Sequence, residues 1–596
     1  MLRKLILSGA VVFATSIPLS SFAAASSPQV AAPTTLAQAL NTFDDASVES
    51  LSCPSAGNCA AVGYYSSGQD QYQAFVDSQS AGVWHVPVAV GLALNVDNDA
   101  DLVSVSCSSA GNCVAGGYYA NALGNYEPMM VSEAGAVWSP AQQVAAQINV
   151  ANYGEIYSVS CASNANCTAV GSVSVANYEY QSIVLDEHNG VWGAPIEVAT
   201  LLNTEFYSYL NSVSCPSAGN CTAGGVYEDH SGVQAFAISE VNGAWQSPLA
   251  IATTLNNGGE AQVDDVSCAT NLNCVMTGYY DDDISGAYQA FAASQVNGQW
   301  TSVHNLTSTI NIGLNAEATS VSCTSPGNCV VGGFYSDQIL APGARHPHVA
   351  TPSAHVVSDR KEGFRQAFVA NEVNGVWSAP KTVVKTLNAG DEAEVDAVSC
   401  VDAANCVASG YYLGSSDVQQ AFAIFQVRGI WQTPLTLVQS LNAQGNADAA
   451  SASCALDGYC AIGGYYGENI LDPQAFVTTT KFAAAQLVID PFAEGSYALT
   501  GTLRAQIFTA ATIIKQHGLS TLTAIGSTDA LDTHQHNLTL GRERARAVRQ
   551  QLLSDLAAIG VHFVKIATAT NGDTQFVANN DTAAGRAANR RVVLTL

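Results

Sequence analysis

The chain has 596 residues, with 20 Lys and Arg against 48 Asp and Glu, for a formal net charge of -28. One hydrophobic core rarely organises so long a chain, so at least two domains are expected, and the charge argues against a nucleic-acid partner because phosphate binding needs clustered cations. No Lys or Arg occurs between Leu5 and Ala344, whereas the stretch from Ala485 onward holds ten basic and eight acidic residues, so two different surfaces are implied.

Residues 1–25 carry Arg3 and Lys4, then an apolar run, then Ala23-x-Ala25, the pattern of a cleavable secretory signal with a mature start near Ser26. No later stretch approaches the roughly 18 to 20 apolar residues of a spanning helix, so no transmembrane segment is expected in the mature chain. Sixteen cysteines in an exported chain point to disulfides.

Those cysteines fall in eight C-x5-C pairs: Cys53-Cys59, Cys107-Cys113, Cys161-Cys167, Cys215-Cys221, Cys268-Cys274, Cys323-Cys329, Cys400-Cys406 and Cys454-Cys460. Successive pairs lie 53 to 55 residues apart, except for a step of 77 that holds an insertion over residues 341–363. Each unit reads as an alternating segment ending SVSC, a turn, a segment such as CTAGGVY or CVMTGYY, a polar loop, QAF, a turn and a tryptophan. Asn-Gly at 242–243, 297–298 and 374–375 marks tight hairpins. This predicts four short strands of about five to seven residues per unit, the pattern of a β-propeller blade. Eight units over residues 33–480 then form an eight-bladed propeller, each blade stapled by its own Cys pair.

Seven units carry a tryptophan and the eighth does not. The segment at residues 33–41 resembles the end of a unit, so it is expected to supply the missing outer strand and close the ring. A membrane barrel is the rival architecture, weighed against here by the short strands and the regular staples. Zinc at C-x5-C finds no accompanying His in most units.

Six units pair aromatics at the end of the second strand: Tyr64 and Tyr65, Tyr118 and Tyr119, Tyr279 and Tyr280, Phe334 and Tyr335, Tyr411 and Tyr412, Tyr465 and Tyr466. Beside acidic loops these rings suit stacking on sugars or holding cations, but one ring of each pair packing between blades while the other caps a loop is the preferred explanation of the repetition. The acid clusters Asp97, Asp99, Asp101 and Asp281 to Asp283 read as solvated loops rather than calcium loops. The insertion carries His346, His348, His355, Arg345, Arg360 and Lys361, either a partner-binding loop or a tolerated surface insertion. No nucleophile elbow, zinc-protease helix or isolated carboxylate pair points to catalysis.

From residue 485 the pattern changes to alternating strands and helices. AQLVIDPF, LSTLTAIG, VHFVKIATA and RRVVLTL read as strands. Leu503, Ile507, Ala510, Ala511 and Ile514 mark one helical face, and Ala545, Val548, Leu552, Leu556 and Ile559 mark a second. The fold class is therefore multidomain: an all-β propeller followed by a small α/β sandwich.

G-x-T-D at Gly526 to Asp529, Asn537, L-x-x-x-R-A-x-x-V from Leu540 to Val548 and GRAANRRV from Gly585 to Val592 together resemble the OmpA-like peptidoglycan-binding domain family, over residues 485–596. The resemblance implies non-covalent attachment to peptidoglycan through the diaminopimelate residue of its stem peptide, with Asp529, Asn537, Arg544 and Arg590 at the family's binding positions. A carboxylate suits the ligand's ammonium, and an arginine fork suits its carboxylate. Asp532 departs from the family, which usually has glycine there. His534 and His536 in the same loop read as solvent-facing rather than metal ligands.

The expectation is a non-catalytic envelope protein, periplasmic or associated with the outer membrane. Peptidoglycan would be its partner, and the propeller would engage an unknown protein or glycan. No cofactor and no metal are expected. The competing reading is a wall-anchored enzyme or lectin acting on glycan at the Tyr-rich face.

Overall fold

The computed structural model describes residues 28–43, 45–151, 153–176, 179–338, 364–415, 418–443, 445–455, 457–467, 473–482, 486–516, 521–561 and 564–595. The proposed signal at 1–25 and the insertion at 341–363, with its basic and histidine residues, lie outside them.

Eight separate antiparallel sheets follow one another along the chain. In the first unit the strands are Ala46–Ser55, Asn58–Gly68 and Gln71–Ser80, then two short pieces, Val83–Trp84 and Val88–Ala89, both paired with the third strand. The three long strands of a unit run 8 to 11 residues, not the five to seven expected. Pairing continues through the turn residues as far as Ser55 opposite Asn58, and a bulge between Val48 and Ser50 absorbs an extra residue. Strand length therefore does not count against a membrane barrel. What differs from a barrel is that hydrogen bonds join the strands into eight sheets rather than one.

The outer strand is split in two in six units, and proline is the cause. Pro87, Pro140, Pro195, Pro248, Pro380 and Pro434 each lack an N–H to donate at the break. The fifth unit has no proline at that point, and its outer strand runs unbroken over Gln299–Asn305.

The bulge also explains the glycine that precedes the paired aromatics. A Cβ on Gly63 would lie 2.1 Å from the Ser47 carbonyl oxygen, and one on Gly117 would lie 2.0 Å from that of Asp101, so a larger residue would collide with the strand beside it.

All eight Cys pairs form disulfides as the spacing predicts, each joining the first two strands of its unit. In the chain-entropy account a loop this short gains about 2 kcal/mol per bridge.

The SVSC motif has a second job, which is to stitch one unit to the next. The N–H of Cys107 donates to Ser52 Oγ at 2.9 Å, Cys161 to Ser106 at 2.9 Å, Cys215 to Ser160 at 3.0 Å and Cys268 to Ser214 at 3.0 Å. Cys323 donates to Ser267, Cys400 to Ser322 and Cys454 to Ser399 in the same way. The first unit is served by the last, since Cys53 donates to Ser453 Oγ at 2.9 Å and Leu51 to Ser451 Oγ at 3.0 Å. These hydroxyls satisfy N–H groups on the edge of each first strand that no strand of its own sheet pairs with.

Between sheets the packing is apolar. Phe75, Phe236, Phe291, Phe368, Phe422 and Phe476, the Phe of the QAF segments, have no exposed surface. Each contributes about 1.5 to 3 kcal/mol by burial. The N-terminal segment adds Thr34–Thr35 to the last sheet, with Thr34 opposite Val477 and Thr35 opposite Phe476. That is the register in which Val88 and Ala89 meet Val76 and Phe75 of the first unit. Leu36 accordingly shares one core with Val48, Phe75 and Val477.

The C-terminal region is built from β1 (Gln486–Ile489), α1 (Gly501–Gln516), β2 (Thr521–Ser527), α2 (His534–Ala558), β3 (Lys565–Gly572), α3 (Ala583–Asn589) and β4 (Val592–Thr595). The strand order is β1-β4-β2-β3, parallel only between β2 and β3. Both predicted helical faces, Leu503 to Ile514 and Ala545 to Leu556, meet the strands in one core with Ile489, Leu522, Ala524 and Leu594. The sequence reading missed α3. It also placed the second helix by its apolar stripe alone, whereas α2 begins at His534, where the Thr533 side chain accepts from the His536 N–H.

Candidate functional site

The site forms where β2 runs into the loop before α2. Gly526 and Gly541 let the helix press on the strand: a Cβ at Gly526 would lie 1.8 Å from the Gly541 carbonyl oxygen. This close approach carries Arg544, three turns into α2, underneath the G-x-T-D loop. The loop itself is pinned from two sides, by Ser527 N–H to the Arg591 carbonyl and Thr528 N–H to the Gly572 carbonyl, both at 2.8 Å.

Asp529, 5% exposed, points into this junction, and its Oδ2 lies 2.8 Å from an Arg590 terminal nitrogen. Arg590 is held in place by its Nε–H, which donates to the Phe492 carbonyl at 2.8 Å. Arg544 is wholly buried. Its Nε donates to the Ser496 carbonyl at 2.8 Å and its terminal nitrogens to Ser527 and Ala493 carbonyls at 3.0 Å. The ring of Phe492 lies 5.3 Å from the guanidinium carbon. Burial lowers the Arg544 guanidinium to about 10, the Asp529 charge opposes that shift, and Arg590 reinforces it.

The sequence therefore found three groups that the fold brings together: Asp529, Arg544 and Arg590. Their arrangement places one buried carboxylate among two guanidinium groups. Three of the five N–H groups of Arg544 donate to main-chain carbonyls.

Asn537 serves the loop itself. Its amide donates to the Asp532 carbonyl at 3.0 Å and to Asp573 Oδ2 at 3.4 Å. Asp532 has no positive φ, so the backbone there does not demand the family's glycine. Its carboxylate lies 3.7 Å from His536 Nε2 at the surface.

Sequence reasoning missed two residues beside the site. Asp573 receives His534 Nδ1 at 2.5 Å; burial works against it, but hydrogen bonds from His534, a backbone N–H and Asn537 hold its carboxyl below the ordinary range. Asn589 is wholly buried and ties down the segment before α3, accepting from Val577 and Ala578 N–H and donating to the Ala578 carbonyl and Asn580. Its place inside Asn589-Arg590-Arg591 was the available signal.

Residues 491–590 match the family described as OmpA family. The peptidoglycan-associated lipoprotein of Burkholderia pseudomallei is 30% identical, over 18% of this chain and 87% of that one, with a TM-score of 0.16. Residues 491–590 form an OmpA-family domain.

Outer membrane protein A of Bordetella avium is 37% identical over 78 residues, and the probable lipoprotein YiaD of Escherichia coli (strain K12) is 33% identical over 130 residues. The chain covers 38% and 52% of those two proteins. The cell wall anchor of the T6SS from Pseudomonas aeruginosa is 24% identical, with 19% of this chain and 79% of that one covered and a TM-score of 0.16.

Outside the OmpA-family domain, each pair of aromatics divides between packing and hydrogen bonding. Tyr65, Tyr119, Tyr280, Tyr335, Tyr412 and Tyr466 are buried between sheets. Their neighbours donate to carboxylates: Tyr64 to Asp45, Tyr118 to Asp99, Tyr279 to Glu260 and Tyr411 to Glu392. Asp99 also accepts from Tyr126 at 2.7 Å, and Asp282 binds Ser285 and the Ile284 N–H in its own loop. Among the described residues no group of three His, Cys, Asp or Glu is placed to hold a metal ion.

Proposed function

We propose that this chain is a non-catalytic cell-envelope protein that attaches to peptidoglycan through its OmpA-family domain and displays its repeat region, closed as an eight-bladed β-propeller, as an interaction platform. The buried Asp529 between Arg590 and Arg544, in a domain of this family, carries the reading. The free end of diaminopimelate bears one ammonium and one carboxylate on the same carbon. Asp529 takes the ammonium, and the spare N–H groups of the arginines take the carboxylate in planar, charge-assisted pairs. A ligand lacking either charge leaves its counterpart buried and unpaired, which gives selectivity. The protein then resides in the periplasm or at the outer membrane.

Closure of the ring is supported by the eighth unit, which meets the first through the same Ser-to-Cys hydrogen bond that joins other neighbours, and by the N-terminal strand in the last sheet. The competing reading, a lectin or wall-acting enzyme, draws support from a run of edge-to-face rings, Tyr118, Tyr126, Tyr153 and Tyr180.

Cosedimentation with purified sacculi tests the anchor. Full-length protein is expected to pellet with the wall, and Asp529→Asn, which keeps the shape of the side chain, to lose at least about tenfold in affinity, a cost typical of an unpaired buried charge. Wall binding untouched by that change would sink the proposal. Release of soluble muropeptides by the protein would favour the enzyme instead.

A further inference from the structure

One slot recurs in seven repeat units, on the third strand opposite the tryptophan. It holds Gln79, Glu133, Glu187, Glu240, Gln295, Glu372 and Gln426, at 1% to 6% exposure. Glutamine is neutral at every pH. A glutamate in the same slot is its near-isostere only when protonated; as an ion it needs a counter-charge.

Such counter-charges are scarce. The first five units contain no Lys or Arg at all. Glu133 is met by the Ser78 hydroxyl, which donates at 2.7 Å, and by His85. Glu187 and Glu240 line one seam together with Asp186 and His188. Asp186 is itself engaged by the Thr168 hydroxyl and the Trp245 indole N–H. Glu372 meets the Ser294 hydroxyl at 3.4 Å. Neither carboxyl oxygen of Glu240, nor Oε2 of Glu187 or Glu372, has a hydrogen-bond partner within the described protein.

The first strands repeat the arrangement. Glu49, Asp101, Glu155, Glu394, Asp396 and Asp448 face one another and Asp45, Asp99, Glu317, Glu392, Tyr64, Tyr118, Tyr411 and Tyr465. Among the described residues, the cation that meets them is Arg365, 3.3 Å from Glu394.

We propose that the repeat region is held together by carboxyl groups in their protonated form, so that it is tightest in acid and loosens as the pH rises toward neutrality. Burial pushes the carboxyls of Glu133, Glu187 and Glu372 up, and that of Glu240 up to about 7 with repulsion from Asp186 added. On the first strands burial pushes Glu155 up to about 8, Glu394 to about 7 against the pull of Arg365, and Asp448 to about 6. All lie above the ordinary carboxyl value of about 4. Groups raised on folding contribute fully below the unfolded value, and that contribution is lost as the pH climbs through the folded ones, here from about 6 to about 8.

All seven tryptophans lie in the repeat units, so tryptophan fluorescence of the full-length, oxidised protein reports on this region alone. The melting midpoint is expected to fall by on the order of 10 °C between about pH 4.5 and about pH 8. Replacing Glu133, Glu187, Glu240 and Glu372 together by Gln is expected to raise the midpoint at the higher pH and leave it unchanged at the lower. A midpoint that is flat or rises over that interval overturns the proposal. So does a folded fourfold variant that melts no higher than its parent near pH 8. Should the variant not fold, the pH series on the unaltered protein decides alone.

Discussion

The repeat region and the OmpA-family domain bury polar groups by opposite means. In the repeats, neutral partners dominate: serine hydroxyls meet backbone N–H groups, asparagines tie loops, and glutamines alternate with glutamates in one slot. In the C-terminal domain the buried groups are charged, with Asp529 against Arg590 and Arg544 under three carbonyls. The first solution suits a framework that must be repeated eight times, because a neutral hydrogen bond contributes about 1 kcal/mol and asks for no exact counter-ion. The second suits recognition, because a buried charge left with spare donors is costly until a ligand completes it.

That contrast is broken most severely by reduction. Breaking eight bridges at about 2 kcal/mol each removes on the order of 16 kcal/mol if they act independently. The fluorescence transition of the repeats is expected to collapse under a strong reductant. The helical circular dichroism of the C-terminal domain, which has no cysteine, is expected to survive. Simultaneous loss of both signals would mean that the two regions do not fold separately.

A second blow falls on the other side. Arg544→Met leaves the Ser496, Ser527 and Ala493 carbonyls without their donor and is expected to cost the C-terminal domain about 3 to 5 kcal/mol. Helical melting reads this, while the fluorescence transition stays in place. Arg544 is thus a poor probe of ligand binding by itself, and Asp529→Asn the cleaner one.

The finest test compares seams. Ser453→Ala removes the acceptor of the Cys53 N–H, and Ser106→Ala removes that of Cys161. Each is expected to cost about 1 kcal/mol. Equal losses in denaturant melts would mean that the junction from last unit to first is equivalent to the rest. A silent Ser453→Ala would separate it from them.

The sequence exposed whatever had a local signature. The Cys period, the unit without tryptophan and the unit-like segment at residues 33–41 were enough to place eight stapled sheets and the N-terminal strand, because each is a matter of spacing. Asp529, Arg544 and Arg590 were legible as a motif. Their partners were not, since the Ser496, Ser527 and Ala493 carbonyls that hold Arg544 are main-chain atoms that any residue would supply. The role of serine in SVSC was hidden for a different reason: its partner lies a whole unit away. Strand lengths were underestimated because pairing across a bulge and into a turn leaves no break in alternation to read.

One stitch stands apart in reach. The hydrogen bond from Cys400 to Ser322 bridges 78 positions where the others between consecutive units bridge 54 to 56, yet its length, 3.1 Å, is ordinary. Contact between neighbouring sheets is thus kept across the longer stretch of sequence that separates Ser336 from Arg365. The spacing of the repeats along the sequence is therefore free to change while the stitch that joins one sheet to the next keeps its length.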